Sequence, residues 1–150
     1  EPEALLSRVL ALVASEMEAR AKQHLASVSD PAERLARGVH LLIRRAHDEP
    51  PWGRFLCRFA LSEHALQALW TGMMMDEMQE AVKAGRYSLL PEQVRTAIGM
   101  IWGVVIAAIY LVLEGHRTFR DASRDAAEFV LRGLGVTKKD AQRLAALAGS

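Results

Sequence analysis

The chain has 150 residues, 51% hydrophobic and 25% charged, a composition that excludes a disordered or collagen-like protein. Nineteen basic and eighteen acidic residues leave a formal net charge of +1, so no overall field draws the chain onto nucleic acid or an anionic membrane. The single cysteine, Cys57, excludes an internal disulfide, and no signal-peptide pattern opens the sequence, so we expect a cytoplasmic protein. Because the first residue is Glu1, we also expect an N-terminal part to precede it.

Apolar residues at three- and four-residue spacing predict helices throughout, and no stretch shows the two-residue alternation of a strand. The first predicted helix runs from Pro2 to about Leu25 and has one apolar face. Asp30 can cap the second helix, Pro31 suits its first turn, and Pro50 and Pro51 stop it.

The following apolar helix starts near Trp52 and continues or kinks into the methionine-rich segment, where Gly72 leaves the join open. Gly85 and Gly115 can adopt the left-handed conformation that ends a helix. Two further helix starts have the spacing of a capping box: Thr118 with Asp121, and Thr137 with Asp140. The sequence therefore predicts an all-α fold, a single bundle of about seven helices forming one domain over residues 1–150.

The long apolar segment from Thr96 to Leu113 carries no charge and reaches the length at which a membrane span becomes an alternative. No cluster of basic residues flanks one end, since Arg95 and Arg117 lie at opposite ends. The helices on either side are amphipathic and need an apolar partner, which this segment supplies. We therefore predict a buried helix and no membrane partner.

One small domain covers only one face of so apolar a helix, and a second copy could cover the other. Small residues recur at four-residue steps along one side: Gly99, Gly103 and Ala107. This stripe predicts close packing of a second copy, and the alternative is a tight contact within one chain. The opposite side would face the protomer's own interior: Ile101, Val105, Ala108 and Val112.

The order of these signals resembles the C-terminal domain of TetR/AcrR-type transcriptional regulators. Five segments carry the resemblance: EALLSRVL at 3–10, the stretch from Asp30 to Leu56, GRY at 85–87, LEG at 113–115, and FVLRGLGVTKKDAQRLA at 129–145. The resemblance implies the regulatory domain of a repressor whose DNA-binding helix-turn-helix head would lie upstream of Glu1.

The resemblance also implies a homodimer that pairs the last two long helices, Pro91 to Glu114 and Phe119 to Leu134. The residues assigned to that interface are Gly99, Gly103, Ala107, Tyr110, Ala122, Ala126 and Phe129. In such regulators a small, often lipophilic effector enters each domain and alters DNA binding by the head. DNA would be bound through that head alone.

Aromatic and methionine residues are concentrated in the middle of the chain, as in a tolerant apolar cavity, although most would serve as core. The residues assigned to ligand binding are Trp52, Phe55, Phe59, Trp70, Met74, Met78, Ile101 and Val105. A ligand-free helical interaction module is the alternative, and its interior would be filled.

Other chemistry is weakly supported. His40 could give a ligand one polar contact, but a packed histidine is the simpler interpretation. Cys57 has only His64 nearby, about two turns away, so we expect no metal site, no cofactor and no catalytic group. Two charged groups are interpreted as solvated faces: Asp76, Glu77 and Glu80, and the pair Arg44 and Arg45. The chain is therefore not expected to be an enzyme.

Overall fold

The computed structural model describes residues 1–62 and 74–150, and the elements below belong to those two ranges. They contain seven α-helices: α1 (Pro2–Leu25), α2 (Pro31–Asp48), α3 (Pro50–Phe59), α4 (Met75–Lys83), α5 (Val94–Leu113), α6 (Phe119–Gly133) and α7 (Lys138–Ala148). Within the described ranges there is no strand, and the predicted all-α class is confirmed. The predicted join between Trp52 and the methionine-rich segment lies outside the described residues.

The three predicted N-cap residues, Asp30, Thr118 and Thr137, cap their helices in the structure. The Asp30 carboxylate accepts the backbone N–H two residues further on at 3.1 Å. Thr118 Oγ1 accepts from the Asp121 N–H, and Thr137 Oγ1 from the Asp140 N–H, both at 3.2 Å. Each bond satisfies one of the donors that a helix leaves unpaired in its first turn.

The predicted ends of the long apolar helix need one adjustment. Pro91 does not open α5 directly, because Pro91–Gln93 form a 3-10 turn and the α-helix begins at Val94. After α5, Gly115 adopts φ +74° and terminates the helix, and Gly85 does the same after α4 with φ +76°. A side chain is strained in that conformation, so glycine sets both ends.

Helix α2 lies at the centre of the bundle and packs against α1, α3, α5, α6 and α7. The small residues Ala32, Ala36 and Ala46 are fully buried and let neighbouring helices approach closely. Helices α2 and α3 are in close contact at Gly53, because a Cβ added there would lie 2.9 Å from Ala46 Cβ.

Helix α5 has one face in the core and one face open. Ile98, Trp102 and Ile109 are at most 2% exposed, whereas Met100 is 65% and Tyr110 is 52% exposed. The stretch Pro91–Leu113 is long and apolar enough to cross a membrane by length and composition, but core helices of soluble proteins pass the same test. In this protein 39% of its apolar window is buried against the other helices.

Helix α1 is covered along only part of its apolar face. Leu10, Ala14 and Met17 are buried, while Leu5 is 63% and Leu12 is 71% exposed. Leu12 follows the buried Leu10 by two residues and therefore lies on nearly the opposite side of the helix.

Candidate ligand-binding cavity

A cavity of about 200 Å³ lies between α1, α2, α4 and α5. Its wall is mainly apolar side chains from those helices: Met17, Leu25, Leu35, Val39, Leu42, Met78, Ile101 and Val105. A binding site for an apolar small molecule has this form, a hydrophobic recess with few polar groups.

The structure brings four of the predicted ligand residues together at this cavity: Met74, Met78, Ile101 and Val105. Met74 and Met78 come from the start of α4, and Ile101 and Val105 lie one turn apart on α5. Trp70 lies outside the described residues. Ligand contact by any of these residues stays a prediction.

The α3 aromatic residues lie away from the described cavity wall. The guanidinium of Arg45 lies over the Trp52 ring, with its Cζ 4.2 Å from the ring centroid. Phe55 and Phe59 contact each other with ring centroids 5.1 Å apart. Trp52 and Phe55 also pack against the core, and a ligand role for the three is a prediction that this geometry does not favour.

Arg45 is a polar group of the cavity wall that is held on several sides. Its Nη2 lies 2.9 Å from Glu16 Oε1 of α1, and its Nε donates to Glu49 Oε2 at 3.1 Å. With the stacked Trp52 ring below, three contacts fix the guanidinium. Its Nη1 is shielded from solvent and has no acceptor among the described residues, although guanidinium N–H groups are strong donors.

A second ion pair closes the opposite side of the cavity. Arg34 Nε donates to Glu77 Oε1 at 2.6 Å, and Arg34 Nη1 donates to the carbonyls of Val28 and Ser29 at 2.7 and 2.9 Å. The guanidinium therefore connects α2, α4 and the turn after α1. Arg20 also lines the cavity and is exposed, so it lies at the mouth.

Tyr87 and Trp102 contribute two buried polar groups, and the exposed His24 also lines the cavity. Tyr87 is 4% exposed, and burial raises the pKa of its phenol far above the ordinary value, so the hydroxyl stays protonated. Trp102 is 2% exposed, and its indole N–H has no acceptor in the described part of the chain. Both residues line the cavity.

The predicted dimer residues divide into an exposed and a buried set. Ala107, Tyr110 and Phe129 are exposed, Gly99 and Gly103 are half-buried, and a Cβ added to Gly103 would meet nothing within 4 Å. Ala122 and Ala126 are each 3% exposed and face the interior of their own protomer. The interface stays a prediction.

Residues 30–147 match the family of tetracyclin repressor-like C-terminal domains. The chain belongs to this family, and the TetR resemblance is confirmed. A TetR-like C-terminal domain is the regulatory part of a transcriptional regulator. No functionally curated protein matches the chain.

Two solved structures of RolR share the fold of this TetR-like domain. One is a complex with its ligand resorcinol and has a TM-score of 0.81; the other is without ligand and has a TM-score of 0.79. Each is 23% identical and covers 97% of this chain, which spans 71% and 74% of the respective RolR chains. At that identity the likeness establishes the fold.

Two sequence interpretations change in this TetR-like domain. Arg45 was interpreted as part of a solvated face, and this is wrong, because its side chain is only 14% exposed and is held by Glu16 and Glu49. Glu77 is exposed as expected, but it also pairs with Arg34 at the cavity. Glu16 and Arg34 each pair with a residue of another helix, which helix-end charge rules do not consider.

Helix α1 also contributes to the cavity wall, which its sequence pattern did not predict. Met17, Ala21 and Leu25 line the cavity at successive four-residue steps. The helical period places the three residues on one side of α1. Nothing local showed that this face borders a cavity.

His40 lies away from the main cavity. Its Nδ1 is 3.2 Å from Ser123 Oγ, and burial beside Arg44 and Arg37 lowers its pKa. Cys57 is half-buried with its Sγ 3.9 Å from the Ile106 carbonyl, and burial raises the pKa of the thiol. Among the described residues no group of histidine, cysteine or carboxylate side chains could hold a metal ion.

Proposed function

We propose that this chain is the effector-binding and dimerisation domain of a TetR-like repressor. A small apolar or amphipathic molecule enters the cavity between α1, α2, α4 and α5 and alters DNA binding by an N-terminal head. The observation that carries the proposal is the cavity itself, which is apolar, about 200 Å³ in volume and bounded by four helices.

The size of the cavity supports a ligand of one ring with a small substituent. An apolar protein cavity of about 150 Å³ is large enough for benzene. The structurally similar RolR was solved with resorcinol, a single-ring compound. The alternative, an interaction module without a ligand, would have a filled interior, so the cavity favours an effector domain.

The open faces of α5 and α6 support a homodimer. Met100, Tyr110 and Phe129 are large apolar side chains that are 52% to 65% exposed. Pairing α5 and α6 with their counterparts in a second copy would remove this surface from water. We place the dimer in the cytoplasm, where the single Cys57 stays reduced.

Thermodynamic linkage gives the regulatory effect. An effector that prefers the arrangement with weak DNA affinity lowers the affinity of the protein for DNA, and DNA lowers the affinity for the effector by the same factor. The coupling free energy is typically about 1–3 kcal/mol. The domain acts by binding, and no turnover is required.

A thermal melting experiment tests the proposal. Single-ring compounds such as phenol, resorcinol and toluene should raise the melting midpoint in a concentration-dependent way, because they bind the folded state. The matched variant Ile101→Phe, which adds volume to the cavity wall, should reduce that shift. A panel of ring compounds without any shift, up to their solubility limits, would contradict an effector-binding role.

A further inference from the structure

Most polar side chains of the cavity wall can donate a hydrogen bond, and two of them, His24 and Tyr87, can also accept one. Among the lining residues that the structure describes, the charged or N–H-bearing side chains include Arg20, Arg34, Arg45 and Trp102. Glu77 is the one carboxylate of that lining, and Arg34 already occupies it at 2.6 Å. A ligand that enters this cavity therefore meets several donors and one carboxylate, whose charge Arg34 balances.

Two of these donors have unused capacity. Arg45 Nη1 and Trp102 Nε1 are shielded from solvent and lack an acceptor within the described ranges. A buried donor left without a partner costs about 1–3 kcal/mol, and more when it belongs to a charged group. An acceptor brought in by a ligand would recover that cost.

Arg45 is better prepared to bind an anion than an ordinary surface arginine. Glu16, Glu49 and the Trp52 ring fix its guanidinium before any ligand arrives, so binding costs little side-chain entropy. Its two carboxylate partners use Nη2 and Nε and leave Nη1 uncommitted. Because Arg45 lines the cavity, Nη1 is the guanidinium nitrogen left for a ligand there.

We propose that the effector is a small organic acid, with one apolar ring in the cavity and a carboxylate bound by Arg45. This inference rests on the proposed effector-binding function and specifies the chemistry of its ligand. The ring packs against Val39, Met78 and Val105, and the carboxylate accepts charge-assisted hydrogen bonds, which are stronger than neutral ones. A neutral compound of the same shape lacks that second contribution.

The test compares 4-ethylbenzoate with 4-ethylbenzamide, which has the same shape and no charge, by titration calorimetry on the whole chain. We expect the acid to bind at least tenfold more tightly than the amide. In Arg45→Gln, acid binding should fall to the level of the amide while amide binding is retained, which also shows that the variant is folded. Arg44→Gln is the matched control, because Arg44 is exposed and absent from the cavity wall, and both affinities should stay unchanged.

A second variant keeps the test decisive if Arg45→Gln does not fold. Glu16→Gln removes a competing carboxylate from Arg45 at a half-exposed position, so acid binding should tighten severalfold and amide binding should not change. Equal binding of acid and amide to the unmodified chain would overturn the inference and leave an effector role intact. Failure of both compounds and of all neutral ring compounds to bind would overturn the effector role as well.

Discussion

Arg86 and Asp30 form a two-point ion pair, with Nε 2.9 Å from Oδ1 and Nη2 3.0 Å from Oδ2. Nη2 also donates to Asp140 Oδ2 at 3.1 Å. One guanidinium thus connects the cap of α2, the segment after α4 and the first turn of α7. Planar arginine suits this role because its N–H groups can bind two carboxylates at once.

Acid should weaken this connection in a defined direction. The hydrogen bond from Arg86 lowers the pKa of Asp30, and those from Arg143 and Arg86 lower the pKa of Asp140. The folded-state pKa values therefore lie below the ordinary 3.8, and the unfolded chain binds more protons as the pH falls through that value. The resulting stability is present above about pH 4 and is lost below it.

Urea unfolding of the unmodified chain and of Arg86→Gln at pH 6, 4 and 3 would measure this effect. We expect Arg86→Gln to be less stable by about 1–2 kcal/mol at pH 6, with the difference shrinking toward pH 3. Arg132→Gln is the control, since its side chain is 43% exposed and pairs with Glu128 instead of Asp30 or Asp140. A constant difference between the chain and Arg86→Gln across the three pH values would contradict the assignment.

Gly53→Ala should destabilise the fold by about 1–3 kcal/mol, the usual effect of overpacking. The added Cβ would lie 2.9 Å from Ala46 Cβ and 3.1 Å from Leu113 Cδ1, so α3 would have to move away from α2 and α5. Gly133→Ala is the matched control, because a Cβ there meets nothing within 4 Å. Chemical denaturation should show the loss for the first variant alone, and equal midpoints would disprove the close helix contact.

Gly103→Leu should disrupt association more than Val105→Leu. The Gly103 position is open within its own protomer, so a leucine there interferes with a partner and leaves the protomer folded. Val105 is 1% exposed, and its enlargement acts on the core and cavity. Sedimentation velocity distinguishes the two effects, and an unchanged dimer for Gly103→Leu would place the interface elsewhere.

Met78→Leu should change the affinity for a ring-sized ligand severalfold while costing less than about 1.5 kcal/mol of stability, because the volume is nearly conserved. Met78 is 2% exposed and lines the cavity. Phe55→Leu is the control, since Phe55 packs on Phe59 away from the described cavity wall. Titration calorimetry that shows equal ligand affinities in Met78→Leu and the unmodified chain would move the binding site away from α4.

The parts of the fold that depend on neighbouring residues in sequence were predictable. Thr118 and Thr137 cap their helices as the spacing indicates, because a cap involves only the next three residues. The division of α5 into a buried side with Ile101 and Val105 and an open side with Gly103 also follows from its helical period.

The site was predicted less completely, because its geometry depends on helices that are distant in sequence. Met78 could be assigned from composition, since methionine suits adaptable cavities. The place of Trp52 beneath Arg45 depends on the angle at which α3 leaves α2, and no local pattern encodes that angle. The role of Arg45 itself depends on Glu16 arriving from α1.

Helix α5 contributes both to the cavity wall and to the open face of the domain. Ile101 lines the cavity, and Gly103 lies on the open side only about 3 Å further along the axis. A regular helix transmits displacement along its length with little loss, so any molecule that pushes on the first residue also shifts the second. Effector binding at the cavity would then shift the open face of α5 without a series of intervening side-chain contacts. The size of that response would depend on how tightly α5 packs in the bundle.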